Sequence, residues 1–224
     1  VYVRQDAWDT HADVVEAARR ATRWVHPVTN EVSAALSRDS QGVCAVASLD
    51  ALVRDLPEPS VGETLVVLAQ GRDPGNVGTI IRTADAFGAV GVIAVAGTVD
   101  ASSPKVVRAS VGSVFHIPVR VVPSFEEARG LVHGRGAALL GTSGGAGSVD
   151  LAQMFVQGVS ARSRLSQSHA WVFGNEAKGL SGDDMRLCDA LVSIPMSGDA
   201  ESLNVASAAA TCLFASQTVR GLHS

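Results

Sequence analysis

Residues 64–87 read TLVVLAQGRDPGNVGTIIRTADAF, and this stretch decides the fold class of the chain. Its first seven residues are apolar except at the two ends, which is typical of a strand buried on both faces of a parallel sheet. A glycine-containing turn follows, and then a helix. We predict that the buried face of the helix holds Val77, Ile80, Ile81, Ala84 and Phe87. A strand, a turn and a helix in this order form the repeating unit of an α/β fold.

Five further apolar runs extend this unit into a sheet. They lie at residues 91–97, 116–122, 137–142, 170–175 and 191–196. Segments with helical spacing separate the runs, at residues 76–88, 103–112, 124–133, 181–189 and 203–219. We therefore predict an α/β domain with a parallel sheet over residues 64–224.

The first 58 residues show a smaller α/β pattern of their own. A strand at 1–3 precedes a helical run at 9–23 and a short helix capped near Thr29 or Asn30. Residues 59–63, which follow Pro57, have the composition of a linker. Because so short a unit buries little surface and the chain opens on a strand-like valine, we expect a domain that lacks its first part. A complete but unusually small subdomain is the alternative.

Composition narrows the class of protein. Apolar residues make up 46% of the 224 residues, so the chain can bury a large core. Cys44, Cys188 and Cys212 are too few and too scattered for a disulfide framework or a zinc site, which favours a reducing compartment. The longest apolar stretch, 88–99, is shorter than the roughly 20 residues of a membrane helix. We predict a soluble, cytoplasmic protein with no membrane span.

Polar groups follow two of the predicted strands, at the sheet edge where parallel sheets bind ligands. Asn76 is placed to cap the helix after the first strand, and Arg82 lies off the buried face of that helix, where its guanidinium could bind a phosphate. A surface arginine paired with Asp85 is the alternative. Gly174 and Glu176 follow a later strand in a sharp turn that a ligand could approach closely. An exposed loop carboxylate is the alternative for Glu176.

A third segment with polar residues spans 194–215. It opens with a strand end, and Ser202 and Asn204 then introduce a helix. We predict that the apolar face of this helix includes Leu203, Ala206, Ala210 and Leu213. The chain has no GxxxxGK[ST] loop, GxGxxG turn or GxSxG elbow, and its histidines show no metal-binding spacing. We expect no metal cofactor.

Taken together, the three segments resemble the ordered motifs of the SpoU/TrmH family in the SPOUT superfamily. The matching residues are Asn76-x-Gly78-x-x-x-Arg82-x-Ala84, Phe173-Gly174-Asn175-Glu176-x-x-Gly179, and Ile194-Pro195-Met196 followed by Ser202-Leu203-Asn204-Val205-Ala206. The resemblance covers about residues 62–220. The N-terminal part is similar to the latter part of the small ribosomal-protein-like domain with which many members bind RNA.

This resemblance implies an RNA ribose 2′-O-methyltransferase with a SPOUT-type parallel sheet, a C-terminal trefoil knot and a homodimeric state. It implies that S-adenosylmethionine binds against Thr142, Ser143, Gly174, Ile194, Met196 and Leu203. It assigns side-chain chemistry to Asn76, Arg82, Glu176, Ser202 and Asn204.

The resemblance also suggests a role for each of these side chains. Because a guanidinium stays protonated, Arg82 is better suited to bind a phosphate and stabilise the developing alkoxide than to act as a base. Ser202 and Asn204 would position the ribose. Glu176 would fix either Arg82 or the loop of its motif.

The charge balance offers no general attraction for RNA, since the net charge is −4. We expect a local patch formed by Arg72, Arg82, Arg108 and Arg220, or contacts doubled across a dimer. By family analogy we favour ribosomal RNA as the substrate. The alternatives are a tRNA ribose methyltransferase, a non-catalytic RNA-binding relative, and a dinucleotide-dependent oxidoreductase, against which the missing GxGxxG turn counts.

Overall fold

A computed structural model describes residues 1–52, 55–145, 147–160 and 163–222. The chain divides into two compact units, Val1–Ala51 and Leu52–Ser224. The division lies upstream of the linker predicted at 59–63, because Leu52 and Leu56 pack against the apolar core of the second unit. The assignment of RNA binding to the first unit and catalysis to the second stays a prediction.

The first unit contains a three-stranded sheet and two helices. Its elements are β1 (Tyr2–Arg4), α1 (Ala12–Ala21), β2 (His26–Val28), α2 (Asn30–Leu36) and β3 (Val43–Cys44). The strand order is β2-β1-β3, with β1 parallel to β2 and antiparallel to β3. Thr29 caps α2, since its hydroxyl accepts a hydrogen bond from the Val32 nitrogen at 3.4 Å. Of the two cap residues predicted, Thr29 is the one used.

The second unit alternates strands and helices. Its strands are β4 (Thr64–Leu68), β5 (Gly91–Val95), β6 (Val119–Val122), β7 (Ala138–Thr142), β8 (Val149–Asp150), β9 (His169–Phe173) and β10 (Ala190–Ser193). Its helices are α3 (Pro74–Ala86), α4 (Pro104–Ser110), α5 (Phe125–Gly134), α6 (Leu151–Ser160), α7 (Gly182–Leu187) and α8 (Val205–Gly221). Each strand and helix predicted for this unit is found, with shifted ends, whereas β8 and α6 were not predicted.

The strands of the second unit form one parallel sheet in the order β6-β5-β4-β9-β7-β10-β8. Neighbouring strands end at the same level: Leu68 pairs with Phe173, and Thr142 pairs with Val192. The loops that follow β4, β9, β7 and β10 therefore meet at one edge of the sheet. The second motif begins at the last residue of β9 and the third directly after β10, whereas the first begins in the first turn of α3, just after the loop from β4.

Two helix starts differ from the sequence prediction. The prediction that Asn76 caps α3 is wrong, because the helix begins at Pro74 and the Asp73 carboxylate accepts a hydrogen bond from the Asn76 nitrogen at 2.7 Å. Proline at the first helical position favours this start. Leu203 does not belong to the buried face of α8. It precedes the capping residue Asn204, and 42% of its surface is exposed.

Gly78 allows α3 and α4 to pack closely. A Cβ at this position would lie 2.5 Å from the Ala109 Cβ and 2.7 Å from the Val106 carbonyl oxygen. A larger residue would therefore push the helices apart. The glycine of the first motif serves helix packing.

A buried polar network fixes α8 on β9. The Trp171 indole donates a hydrogen bond to the Ser216 hydroxyl at 2.8 Å. Burial lowers the pKa of His169 to about 4, so its ring is neutral near pH 7. Because the His169 Nδ1 lies 2.8 Å from the Gln167 carbonyl oxygen it must carry the proton, and Nε2 accepts from Ser216 at 2.8 Å. These bonds hold together the elements that carry the second and third motifs.

A helix that crosses a bilayer needs about 20 mostly apolar residues. Within the ranges that the structure describes, no helix combines the length and apolar character needed to cross one.

Candidate functional site

A cavity of about 440 Å³ opens at the carboxyl edge of the sheet. Its volume lies in the range of small-molecule sites, about 300–1,000 Å³. All residues predicted to contact the cofactor line this cavity, namely Thr142, Ser143, Gly174, Ile194, Met196 and Leu203. Glu176 and Ser202 line it as well. The structure thus brings eight of the eleven predicted site residues to one place.

The turn after β9 forms one wall of the cavity. Asn175 and Gly179 exchange two backbone hydrogen bonds, of 3.0 and 2.8 Å, and Gly179 has a φ of +67°. A Cβ at Gly174 would overlap the carbonyl group of Gly179. The Asn175 side chain accepts hydrogen bonds from the nitrogens of Ala177 and Lys178 at 3.0 and 3.2 Å. The turn is therefore held by its own hydrogen bonds, and its residues line the cavity.

The ends of β7, β9 and β10 form a second wall. The Thr142 hydroxyl donates to the Val172 carbonyl oxygen at 2.8 Å, and the Ser143 nitrogen donates to the Val192 carbonyl oxygen at 3.0 Å. These bonds join three neighbouring strands where the cavity begins. The Thr142 hydroxyl proton is thereby occupied, so Thr142 offers a ligand its remaining acceptor capacity and its methyl group.

The segment between β10 and α8 completes the cavity with apolar surface. Met196 is 44% exposed and Leu203 is 42% exposed, and both line the opening. Exposed apolar side chains that converge on a cavity are typical of a binding site for a partly apolar ligand.

Glu176 connects the second motif with the first. Its carboxylate accepts hydrogen bonds from the backbone nitrogens of Arg72 and Asp73 at 3.3 and 3.2 Å. The neighbouring Asn175 amide donates to the Gln70 carbonyl oxygen at 3.3 Å. The contact that the structure shows for Glu176 is with the loop before α3, which is neither Arg82 nor the loop of its own motif.

Asn204 connects the third motif with the first. Its Oδ1 accepts from the nitrogens of Ala206 and Ser207, at 2.9 and 3.3 Å, and so caps α8. Its Nδ2 donates to the Asn76 Oδ1 at 3.0 Å. Asn76 and Asn204 do not line the cavity themselves, but they join the helices beside it.

Arg82 lies on the exposed side of α3. In the part of the chain that the structure describes, its guanidinium makes no hydrogen bond or ion pair. The Asp85 carboxylate is not paired with Arg82. It lies 3.3 Å from the His116 Nδ1. The alternative of an Arg82–Asp85 surface pair is therefore not found, and the Arg82 guanidinium remains accessible to an anion.

The predicted arginine patch loses one member. Arg72, Arg82 and Arg108 are exposed, but Arg220 is half-buried and donates to the carbonyl oxygens of Gly62 and Phe87 at 3.2 and 3.3 Å. Burial lowers the pKa of Arg220. Gly62 precedes β4, so Arg220 lies at the opposite edge of the sheet from the cavity and was wrongly assigned to the patch.

Two charged residues of the cavity were missed in the sequence. Lys178 and Glu201 line it, one in the turn after β9 and the other in the loop before α8. Lone loop charges have no periodicity, so position within a motif was the only signal that could have singled them out. Within the described ranges, no group of three or more His, Cys, Asp or Glu side chains is arranged to hold a metal ion.

Comparisons with known proteins agree on one family. The model of the SpoU rRNA Methylase family matches residues 63–214. The 23S rRNA (guanosine-2′-O-)-methyltransferase RlmB of Bordetella pertussis is 35% identical, over 96% of this chain and 87% of its own length.

Solved structures give the same result. An AdoMet-bound rRNA methyltransferase from Sinorhizobium meliloti has a TM-score of 0.71 and 32% identity, covering 97% of this chain and 79% of its own. The SpoU methyltransferase AviRb from Streptomyces viridochromogenes, in complex with the cofactor AdoMet, has a TM-score of 0.73 and 29% identity. It covers 98% of this chain and 82% of its own.

Proposed function

The chain belongs to the SpoU rRNA Methylase family, and on this basis we infer that it is an S-adenosylmethionine-dependent RNA methyltransferase that modifies a ribose 2′-hydroxyl. One structural observation carries the inference. The second and third motifs, which are distant in the sequence, line one cavity at the carboxyl edge of the sheet, and the first motif is joined to the third there by the Asn76–Asn204 hydrogen bond. The relative from Bordetella pertussis is named for methylation of 23S rRNA, and ribosomal RNA is the substrate class we propose here.

The cavity suits S-adenosylmethionine in size and chemistry. Backbone groups of Gly174, Ile194 and Met196 would supply donors and acceptors at close range, and Leu203 would add apolar surface. Glu201 and Lys178 offer charges opposite to those of the ammonium and carboxylate groups of the cofactor. When bound, the cofactor supplies an electrophilic methyl group on a positively charged sulfur.

The side chains around the cavity would orient the ribose and stabilise charge. Transfer requires the 2′-oxygen to be aligned with the methyl group, and orientation of this kind lowers a barrier substantially without a metal. Ser202 lines the cavity and would position the ribose. The exposed Arg82 guanidinium would bind a phosphate beside the target ribose and stabilise negative charge that develops on the 2′-oxygen. Since Arg82 stays protonated, the hydroxyl proton would pass to phosphate or water.

A C-terminal trefoil knot is part of the proposal. β10 lies between β7 and β8 in the sheet, although β7 and β8 are consecutive strands that both precede β10 in the chain. The Ser143 nitrogen bonds to Val192 on one side of β10, and the Ser193 hydroxyl bonds to Val149 on the other. A chain that leaves β10 between these two strands and returns to form α8 is well placed to pass through the β7–β8 connection.

We also propose a homodimer that works in the cytoplasm. Phe214 on α8 is 53% exposed, and its ring meets Phe87 edge-on with centroids 6.1 Å apart. Phe87 is half-buried, so the exposed Phe214 ring beside it offers apolar surface to a partner. Light scattering should give a mass of two chains, and Phe214→Asp should reduce it to one. A wild-type mass of one chain would contradict the dimer.

Methyl transfer with isotopically labelled S-adenosylmethionine tests the proposed function. Purified wild-type protein should label ribosomal RNA, and calorimetry should detect binding of the cofactor. Label in tRNA alone would support the tRNA alternative. Cofactor binding without transfer to either RNA would support a non-catalytic relative, and binding of a nicotinamide cofactor instead would support an oxidoreductase.

A further inference from the structure

The hydrogen bonds at the start of α8 fix the direction in which the Asn204 amide faces. The backbone nitrogens of Ala206 and Ser207 lie 2.9 and 3.3 Å from one of its terminal atoms. Because a backbone N–H only donates, that atom must be Oδ1. The Nδ2 of Asn204 therefore points away from the helix, where it lies 3.0 Å from the Asn76 side chain.

The direction of the Asn76 amide follows from that of Asn204. The Nδ2 of Asn204 only donates, so the Asn76 atom that faces it must be Oδ1. Asn76 must then present its own Nδ2, with two N–H groups, to the other side. Among the described residues, no acceptor for this nitrogen is found.

The free donor lies in the first turn of α3, near charged groups of both signs. Asn76 is in the first turn of α3, and the exposed Arg82 follows in the same helix, with the exposed Arg72 just before it. The carboxylates of Asp73 and Glu176 already accept from backbone nitrogens, so a donor nitrogen on the helix that carries the exposed Arg82 matches an oxygen acceptor of a polyanion. The hydrogen bonds in series from α8 through Asn204 should also polarise the Asn76 amide and strengthen its donor.

We propose that Asn204 is a positioning residue that acts through Asn76. By capping α8 it orients the Asn76 amide, so that the Asn76 Nδ2 donates to a phosphate or ribose oxygen of the target nucleotide. This inference rests on the proposed function, because it requires RNA as the substrate. It gives Asn204 a different role from direct contact with the ribose.

Asn204→Asp separates orientation from capping. The carboxylate still accepts from the nitrogens of Ala206 and Ser207, and aspartate is as good a capping residue as asparagine. It has no N–H to offer, so the Asn76 amide should turn its Nδ2 toward the carboxylate and present Oδ1 to the RNA. We expect unchanged thermal stability and cofactor affinity, with kcat/KM for RNA methylation reduced about tenfold or more.

Two further substitutions extend the test. Asn204→Ser keeps a capping hydroxyl but leaves the Asn76 amide unconstrained, so its loss of activity should be smaller than that of Asn204→Asp. Asn76→Asp keeps an acceptor for Asn204 and adds a favourable negative charge to the first turn of α3, so it should fold. It should nevertheless lower kcat/KM at least as much as Asn204→Asp. Gln153→Glu, an exposed amide-to-acid change on α6, is the matched control and should retain wild-type activity.

The kinetic constants distinguish the two kinds of acceptor. A higher KM for RNA with unchanged kcat in Asn204→Asp would identify a phosphate oxygen that contributes to binding. A lower kcat with unchanged KM would identify an oxygen of the reacting ribose.

The outcomes that overturn the inference are equally distinct. Wild-type activity in Asn204→Asp would show that Asn204 only caps α8. A lowered melting temperature in Asn204→Asp would contradict the assignment of the cap on which the orientation depends. A wild-type protein that methylates no RNA would instead overturn the proposed function, and this inference with it.

Discussion

The carboxylate of Glu176 accepts a hydrogen bond from the backbone nitrogen of Asp73 at 3.2 Å, although the two residues are 103 positions apart in the chain. Asp73 in turn caps α3 through the Asn76 nitrogen. The turn after β9, which lines the cavity, therefore also determines where α3 begins. The positions of Asn76 and Arg82 on that helix depend on this contact.

Glu176→Gln should weaken the connection without removing it. Glutamine retains one oxygen for the nitrogens of Arg72 and Asp73 and places an amide donor where the second oxygen was. Loss of one such hydrogen bond costs about 1 kcal/mol. We therefore expect kcat/KM to fall about tenfold or less, and the free energy of unfolding to fall by about 1 kcal/mol. Kinetics and urea denaturation would measure both, with the exposed Glu126→Gln as control. Unchanged kcat/KM would mean that the loop holds its position without Glu176.

Arg82→Ala should abolish methyl transfer while leaving cofactor binding intact. The side chain is exposed and makes no hydrogen bond or ion pair with the described residues, so the free energy of unfolding should change by less than about 0.5 kcal/mol. Loss of a donor to developing charge should lower kcat by about 10²–10³-fold. Radiolabelled transfer and calorimetry would measure activity and cofactor affinity.

Arg120→Ala provides the matched control for Arg82. Arg120 is exposed on β6, the edge strand farthest from the cavity strands β7 and β10, and its substitution should leave kcat unchanged. Unchanged turnover in Arg82→Ala would contradict the role given to Arg82. Loss of cofactor affinity in that variant would indicate a structural role instead.

Gly174→Ala should disrupt the cavity wall. The added Cβ would overlap the Gly179 carbonyl group, so the turn must open, and both S-adenosylmethionine affinity and the melting temperature should fall. Gly130→Ala on α5 is the control, because nothing lies within 4 Å of the added Cβ. That variant should gain about 0.5–1 kcal/mol of stability. Unchanged cofactor affinity in Gly174→Ala would argue against this wall as the cofactor site.

Stability should fall in acid because of His169. Its folded pKa is about 4, below the 6.5 of an unfolded chain, since burial disfavours the charged ring. Between these values the unfolded state binds a proton that the folded state does not, which lowers the free energy of unfolding by about 1.4 kcal/mol per pH unit. The effect is absent above pH 6.5 and complete below pH 4.

Urea titrations from pH 7 to pH 4 would measure this contribution. In His169→Gln, the slope of the free energy of unfolding against pH over this range should be smaller by about 1.4 kcal/mol per pH unit. An identical slope in the variant and the wild type would show that other groups account for the acid sensitivity.

The apolar runs in the sequence predicted the parallel sheet because strands buried on both faces leave a strong signal. β8 left none, since Val149–Asp150 is too short to show any periodicity. α6 was missed although Asp150 accepts hydrogen bonds from the nitrogens of Ala152 and Gln153, at 2.7 and 3.3 Å. An aspartate before an apolar run was a usable sign of a helix start.

The site was predicted by its motifs, but not the way in which its residues are connected. Asp73 and Asn76 are both good capping residues, and only Pro74 in the first helical position distinguishes them. The contacts of Asn204 with Asn76 and of Glu176 with Asp73 join residues more than 100 positions apart. No local pattern encodes such pairs, because they depend on the order of β4, β9 and β10 in the sheet.

The most direct test of the central claim is the chemical position of the transferred methyl group. RNA labelled by the wild-type protein would be digested to nucleosides and analysed by mass spectrometry. The account predicts a label on the ribose 2′-oxygen that disappears with Arg82→Ala. A label on a base, or none on any RNA in the presence of bound S-adenosylmethionine, would contradict it.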